Sequence, residues 1–431
     1  MIHRRTFLLS SAALAACATA LAPNALAQQP ALLRTGQHFA GGRGGKIIRV
    51  TTLAPTGPGS ITEAVKAKGA RIVVFEVGGV IDLNRQSLRI TSGDLTIAGH
   101  TAPAPGITLI KGGIEISQGT QNVVIRHLMV RPGEAGQAKK SGWECDGIYA
   151  YGASRIEVSN CSITWATDEG LSASGKRFGK DDKEATLEQW RAFTSHDIVF
   201  DSNIVAEGLS NSTHSKGEHS KGTLIHDNVR FATVTRSLYA HNMERNILFK
   251  GGTHGFMLDN VVYNPGKRFS HYNLHAGEWG VHEFVEGEIN ITGNAFLAGP
   301  STDKKAAAFM LGGEGALALR MSNNLALDKD GKPLAKIGRF GDSKPILLEI
   351  YDAAEPPTRA AFQPMIDKVL ASCGARPWDR DPIDARIIAD VKNGTGRIVN
   401  SEQEAGGYPV RTETHAAFKD AEWNLETMER K

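Results

Sequence analysis

Cysteine is scarce in this chain. Of four in 431 residues, Cys17 falls in an N-terminal leader, which leaves Cys145, Cys161 and Cys373. An odd set in an oxidising compartment permits at most one bridge, so the fold is not stapled by disulfides and must rest on packing. Cys145 and Cys161 are expected to behave as small buried apolar groups. Net charge is scarce too: 49 Lys+Arg against 46 Asp+Glu leave +3. Bulk charge of that size does not draw a polyanion, so nucleic acid is not implied and any attraction for an acidic ligand must be local. No apolar run is long enough to make a good membrane span. Tight hairpin turns, which a β-sandwich needs, are few.

The one apolar run of note, Phe7 to Ala22, is short and alanine-rich. Arg4-Arg5 precedes it and Ala25-Leu26-Ala27 closes it as a small-x-small cleavage site. Residues 1–27 therefore read as a twin-arginine-type export signal, with an ordinary export signal as the alternative. Either places the mature protein in the periplasm of a bacterium or outside the cell. Leu14-Ala15-Ala16-Cys17 has the form of a lipoprotein box, so a lipid anchor on Cys17 is a rival outcome of processing.

What is present in quantity is short β-rich runs, from Ile47 to about Ala326, with almost no long helix between them. Examples are Arg71 to Val77, Leu95 to Ala98, Asn122 to Val130, Arg155 to Ile163, His196 to Val205, Thr233 to Ala240, Phe256 to Tyr263 and Glu288 to Phe296. Aligned, they share the frame apolar-x-apolar-x-Asn/Ser-x-apolar. Asn160, Asn203, Asn260 and Asn294 recur near the bend, with Ser237 in the corresponding place. Period-two alternation marks half-buried strands, and asparagine suits a left-handed corner. Stacked in register, these side chains would bond from one coil to the next. The spacing, about 22 to 42 residues, fits a solenoid with variable loops on one side. The expected fold is all-β, a right-handed parallel β-helix over residues 28–345. Ser60-Ile-Thr-Glu63 is a capping box opening a short amphipathic helix that plugs the N-terminal end. Residues 346–431 read as a mixed tail packed on the coils: Thr358 to Ser372 is helical in period, and Pro377, Pro382 and Gly394 interrupt the stretch after it.

On such a fold, function sits on outward side chains of one sheet and the loops beside it. Three clusters qualify. Glu144 and Asp146 are two apart and face the same way in a strand. The next coil brings Asp168-Glu169, of which strict alternation lets only one join that face. Three carboxylates from adjacent coils make a hard-cation site suited to Ca²⁺, and a solvated acidic strand edge is the bland alternative. The second cluster, His214 to Gly222, carries His-Ser-Lys-Gly twice and looks built to meet an anion. His214, His219 and His226 admit a zinc reading, which the spacing and the Gly/Ser content oppose. The third cluster runs from His241 to Gly252 and holds Arg245 and Lys250. On spacing alone, Arg245 reads as a structural ion pair before it reads as a catalyst.

From Ala40-Gly-Gly-Arg-Gly-Gly45 to Asn264 the chain resembles the pectate lyase family of polysaccharide lyases, the pectate lyase C-like β-helix proteins. The likeness is carried by Asp146-Gly-Ile, the Ile156 to Trp165 run, Lys221-Gly-Thr-Leu-Ile225 and Arg245 through Lys250. It implies that Glu144, Asp146 and Asp168 are calcium-binding carboxylates, that Lys221 binds substrate, that Arg245 abstracts the proton and that Lys250 grips a uronate carboxylate. Because His-Ser-Lys-Gly is repeated, Lys216 competes with Lys221 for the substrate-binding role. Three departures stand out: Ser172 where a fourth acidic ligand is usual, Ile247 in place of proline, and Lys250 in place of arginine.

The implied chemistry is β-elimination from a uronate chain. Removing the C5 proton builds enolate-like charge, which Ca²⁺, Lys221 and Lys250 would stabilise. A guanidinium base is awkward, since it normally stays protonated, so an alkaline optimum is expected. The expected partner is an acidic polysaccharide, pectate by default, met by a monomer with neither nucleic acid nor a membrane span. Two rivals remain: a β-helix hydrolase using Asp146 and Asp168 with water, and a non-catalytic carbohydrate-binding β-helix.

Overall fold

The computed structural model describes residues 39–177, 184–351 and 357–431; the leader at 1–27, with Cys17, lies outside them. The chain winds through three parallel sheets, adding one strand to each per coil. One coil runs Ser154–Ser159 in the first sheet, Ser162–Thr164 in the third and Glu169–Ser174 in the second, then returns to the first at His196–Asp201. Among the described residues the first sheet has 11 strands, the second 9 and the third 10. All pairings between coils are parallel and nearly every one is in register, as in Ile156↔Ile198 and Val158↔Phe200. This is the right-handed parallel β-helix expected. The last strand of the first sheet, Ile346–Tyr351, lies beyond residue 345.

The core is built of stacked columns. Ile125, Val158, Phe200, Val234, Met257 and Ile291 lie one above another along the first sheet, all buried. A column of this kind removes each side chain from water at about 1.5–3 kcal/mol apiece. Gly255 interrupts the neighbouring column because a Cβ there would lie 2.3 Å from the Phe249 ring.

The runs read as single strands are in fact pairs of strands separated by a left-handed corner. His127, Asn160, Ser202, Arg236, Asp259 and Asn323 hold φ of 48–60° there, a conformation costing roughly 1–2 kcal/mol for a side-chain-bearing residue. The residue after each corner carries the ladder. Asn160 is thus a corner residue, and its place in the ladder is taken by Cys161, whose N–H donates to Asn203 Oδ1 at 2.8 Å. From there the N–H groups of Asn203, Ser237, Asn260 and Asn294 donate in turn to the side chains of Ser237, Asn260, Asn294 and Asn324. Each asparagine also returns its Nδ2 to a carbonyl of the preceding coil, as Asn260 does to Val234 at 2.9 Å. Asn260→Ala strands a buried donor and a buried acceptor at once. It is expected to cost about 2–4 kcal/mol, read as a lowered urea midpoint.

The helix Ile61–Lys66 covers the N-terminal end, burying Ile61, Ala64 and Val65 in the core. Ser60 caps it by accepting from Glu63 N–H, while Glu63 reaches back to Gly59 N–H, one residue short of a closed capping box. The C-terminal segment lies on the outside. Helix Arg359–Ser372 and a second helix, Pro382–Asn393, pack Phe362, Ile366, Ile387 and Val391 on the outer face of the third sheet at Ile204, Leu238 and Val261. Pro382 and Gly394 therefore delimit a helix, proline in its first turn and glycine as its left-handed cap. Buried Arg131 pins it through Asp381 at 2.6 Å and Asp384 at 3.1 Å. Phe418 and Met428 cover Ile72 and Val74 of the first sheet. The outer face of the second sheet, with its loops, carries the groove. Cys145, Cys161 and Cys373 are buried and unbridged. Among the described residues no helix is long and apolar enough to cross a membrane.

Candidate functional site

Four successive coils of the second sheet stack their strand starts into one column. Gly147 N–H donates to Glu169 O, Glu169 pairs with Lys221, and Lys221 pairs with Glu244 beside Arg245. The acids of this column line a groove of about 470 Å³ in which Arg177 is the basic residue; Lys221, Arg245 and Lys250 stand beyond that lining, on the coils that follow. Glu144, Asp146, Tyr149, Asp168, Glu169 and Arg177 are among its lining.

Carboxylate oxygens of Asp146, Asp168 and Glu169 lie within 4.8 Å of one another. Asp168 precedes the strand that begins at Glu169, so strand alternation does not apply to it and both carboxylates reach Asp146. Burial, then the charge of Asp168, raises the Asp146 carboxyl well above its usual range. Asp168 goes the other way: burial works against its charge, but the His219 hydrogen bond and the charges of His219, His214 and Arg245 hold it down. Two carboxylates driven apart in this way would be relieved by a hard cation, and three oxygen donors at this separation fit Ca²⁺. Ser172 donates to Asp146 Oδ2 at 2.6 Å, so this hydroxyl serves one of the three acids rather than adding a fourth.

Glu144 sits apart from that trio. Its Oε1 accepts from the N–H and hydroxyl of Ser215 and lies 3.5 Å from His214 Nδ1. His214 and His219 stack with ring centres 3.6 Å apart and planes at 12°. His219 Nε2 is 2.6 Å from Asp168 Oδ1, and His214 Nε2 is 3.7 Å from it. A shared metal would have to lie in both ring planes, which parallel stacking forbids. Moreover Lys216 N–H donates to His214 Nδ1, which leaves the proton on Nε2, facing Asp168. His219 is therefore the hydrogen-bond partner of Asp168, and His214 stacks behind it without reaching the carboxylate. His226 lies elsewhere, against Asp227.

Lys221 and Lys216 part company. Lys221 opens a strand in the column and is buried, with Nζ 2.5 Å from Glu244 Oε1. Lys216 is exposed on the preceding turn. Arg268 takes the other oxygen of Glu244 at 2.5 Å. Burial opposes the Glu244 charge, yet Lys221, His271 and Arg268 hold its carboxyl at about 2.

Arg245 reaches toward the acids and pairs its guanidinium with Glu169. Burial pulls its pKa down; Asp168 and Asp146 resist, and Arg268 adds to the fall. Two residues on, Ile247 N–H donates to Ser270 Oγ at 3.0 Å, a bond that proline could not make. Lys250 is buried too, paired with Asp227 at 3.3 Å and with Glu278. Each base of the wall therefore has its own carboxylate partner. Glu244, Asp227 and Glu278 went unnoticed in the sequence because each gains meaning only from a cation on another coil.

No family model matches the chain. Curated relatives do. A probable pectate lyase C of Emericella nidulans is 31% identical over 378 residues, covering 86% of this chain and 78% of that protein. One from Aspergillus terreus is 30% identical over 378 residues, covering 86% and 79%. Among solved structures, Jun a 1, the major allergen from cedar pollen, aligns at 13% identity with a TM-score of 0.48, covering 77% of this chain and 90% of that one. A pectate lyase bound to a hexasaccharide aligns at 11% and 0.45, covering 77% and 92%.

Proposed function

The chain belongs to the pectate lyase family of polysaccharide lyases, and from that premise we propose that it cleaves polygalacturonate by calcium-assisted β-elimination, with Arg245 as the base. The observation that carries this reading is the half-buried Arg245 guanidinium, its pKa lowered, set against Glu169 beside the Asp146 and Asp168 carboxylates.

Asp146 and Asp168, with Glu169 beside them, would hold the cation; Glu144, turned to Ser215, would not. Bound calcium supplies positive charge against the C6 carboxylate of the uronate, which acidifies the C5 proton. The protein's own residues do the rest. Lys221 and Lys250 bring positive charge to the C-terminal wall, where charge builds on the sugar as the proton leaves. Arg245, held above the groove by Glu169, accepts that proton in its neutral form. Expulsion of the C4 oxygen then leaves an unsaturated sugar at the new non-reducing end. His219, with His214 stacked against it, keeps Asp168 oriented and ionised for the cation. Read with the leader at 1–27, the enzyme acts outside the cytoplasm on plant-type acidic polysaccharide.

The test is incubation with polygalacturonate with and without a calcium chelator, following ultraviolet absorbance. New absorbance, lost on chelation and restored by added Ca²⁺, is the expected result. Reducing ends without absorbance would instead mark the hydrolase built on Asp146 and Asp168, whose opposed pKa shifts are the one feature in its favour.

A further inference from the structure

The loop after strand Ser270–Leu274 carries the four-residue helix Ala276–Trp279 back over the basic wall. Trp279 anchors it: the indole is fully buried, edge-on to Trp190 at 4.9 Å, and its N–H donates to Asp227 Oδ1 at 2.8 Å. Beside this anchor, Glu278 extends its carboxylate to Lys250 on one side and to Arg177, at 3.5 Å, on the other.

Lys250 does not need Glu278. Asp227, with no exposed surface, already faces it at 3.3 Å and is itself fixed by Gly251 N–H and the Trp279 indole. A second carboxylate on one ammonium is surplus to its neutralisation. What Glu278 does is stand between Lys250 and Arg177, and Arg177 is itself among the groove's lining. A carboxylate held between an ammonium and a guanidinium at the rim of a groove has the chemistry of a bound uronate carboxylate.

We propose that Glu278 is an internal carboxylate seated where a substrate carboxylate is received, so that it sets the enzyme's selectivity between free and esterified uronate units. The proposal rests on the reading of this groove as a uronate-binding lyase site. A free carboxylate must displace Glu278 from Lys250 and Arg177 before it can pair with them. A methyl ester, carrying no charge, does not compete for that seat. The ion pair with Arg177 is partly exposed, so its loss costs little stability.

Glu278→Gln and the wild type are compared on polygalacturonate and on highly methyl-esterified pectin at fixed low ionic strength. The variant is expected to lower KM for polygalacturonate by about fivefold or more, the effect of removing one like charge from the seat. Its kcat stays within about twofold, its KM for esterified pectin is unchanged and its melting temperature is unaltered. Glu278→Asp, one methylene shorter, falls between the two. An unchanged or raised KM on polygalacturonate, or an equal fall on both substrates, overturns the proposal. Calorimetric titration with an oligogalacturonate separates the two layers. If neither chain yields unsaturated product, the lyase reading fails, and tighter binding by Glu278→Gln still upholds the seat while equal binding removes it.

Discussion

Arg245→Ala is expected to lower kcat by about a hundredfold to ten-thousandfold, the span a lost general base removes, while polygalacturonate still binds. The variant keeps Lys221, Lys250, Asp146 and Asp168, each held by partners other than Arg245. Glu169 alone loses its partner. The pH profile makes the role distinguishable from a structural one. Burial lowers the Arg245 pKa, but a base must be deprotonated to act. The wild-type kcat should therefore climb toward alkaline pH, close to tenfold per unit on the limb below that pKa. In Arg245→Ala the residual rate should lose that limb. Arg245→Lys keeps a positive charge beside Glu169 without the fork and is expected to bind substrate and turn over slowly. A wild-type optimum near neutrality, or an Arg245→Ala enzyme that retains most of its kcat, removes Arg245 from the base's role.

Much of this arrangement was legible in the chain because a β-helix translates sequence order into spatial order. Asp146, Asp168, Lys221 and Arg245 fall on successive coils, so their order along the chain is their order along the groove. Legibility failed where the winding rule failed. Glu169 looked incompatible with Asp168 under strand alternation, yet the strand starts at Glu169 and frees its predecessor. Asn160 looked like a rung of the ladder because it is an asparagine near a bend, but the corner itself, not the residue type, sets the frame, and the rung is Cys161. Pro382 and Gly394 looked like interruptions when they are the two ends of a helix. Glu278 was out of reach for a different reason. It lies on a loop, 28 positions from Lys250 in sequence, and loops obey no period.

Acid should unfold the protein early, and the cause lies in histidines whose burial outweighs the charge of any neighbouring carboxylate. Burial lowers His226 and His271 to about 3, His127 to about 3 and His100 to about 4. In the unfolded chain each titrates near 6.5. Between those values the unfolded state binds protons that the native state refuses, so stability falls as pH falls, beginning near pH 6.5 and continuing to about 3. Each fully buried histidine contributes about 1.4 kcal/mol per pH unit across its window. Carboxylates work on both sides of the balance. Asp384, raised to about 6 first by burial and then by Asp381, takes up its proton in the native state earlier than in the unfolded one. Over pH 6 to 4 that offsets roughly one histidine. Glu244, held at about 2, adds to the loss only below about pH 4.5. The histidines therefore prevail through the mildly acidic range. Urea unfolding at pH 7.5 and 5.0 is expected to show a stability lower by at least about 2 kcal/mol at the acid end. His271→Gln, which removes one titrating group beside Glu244 and Arg268, should flatten the slope between them by about one histidine's share. A stability that holds level from pH 7.5 to 5.0 means these imidazoles find their protons in the folded state, and the burial argument fails with it.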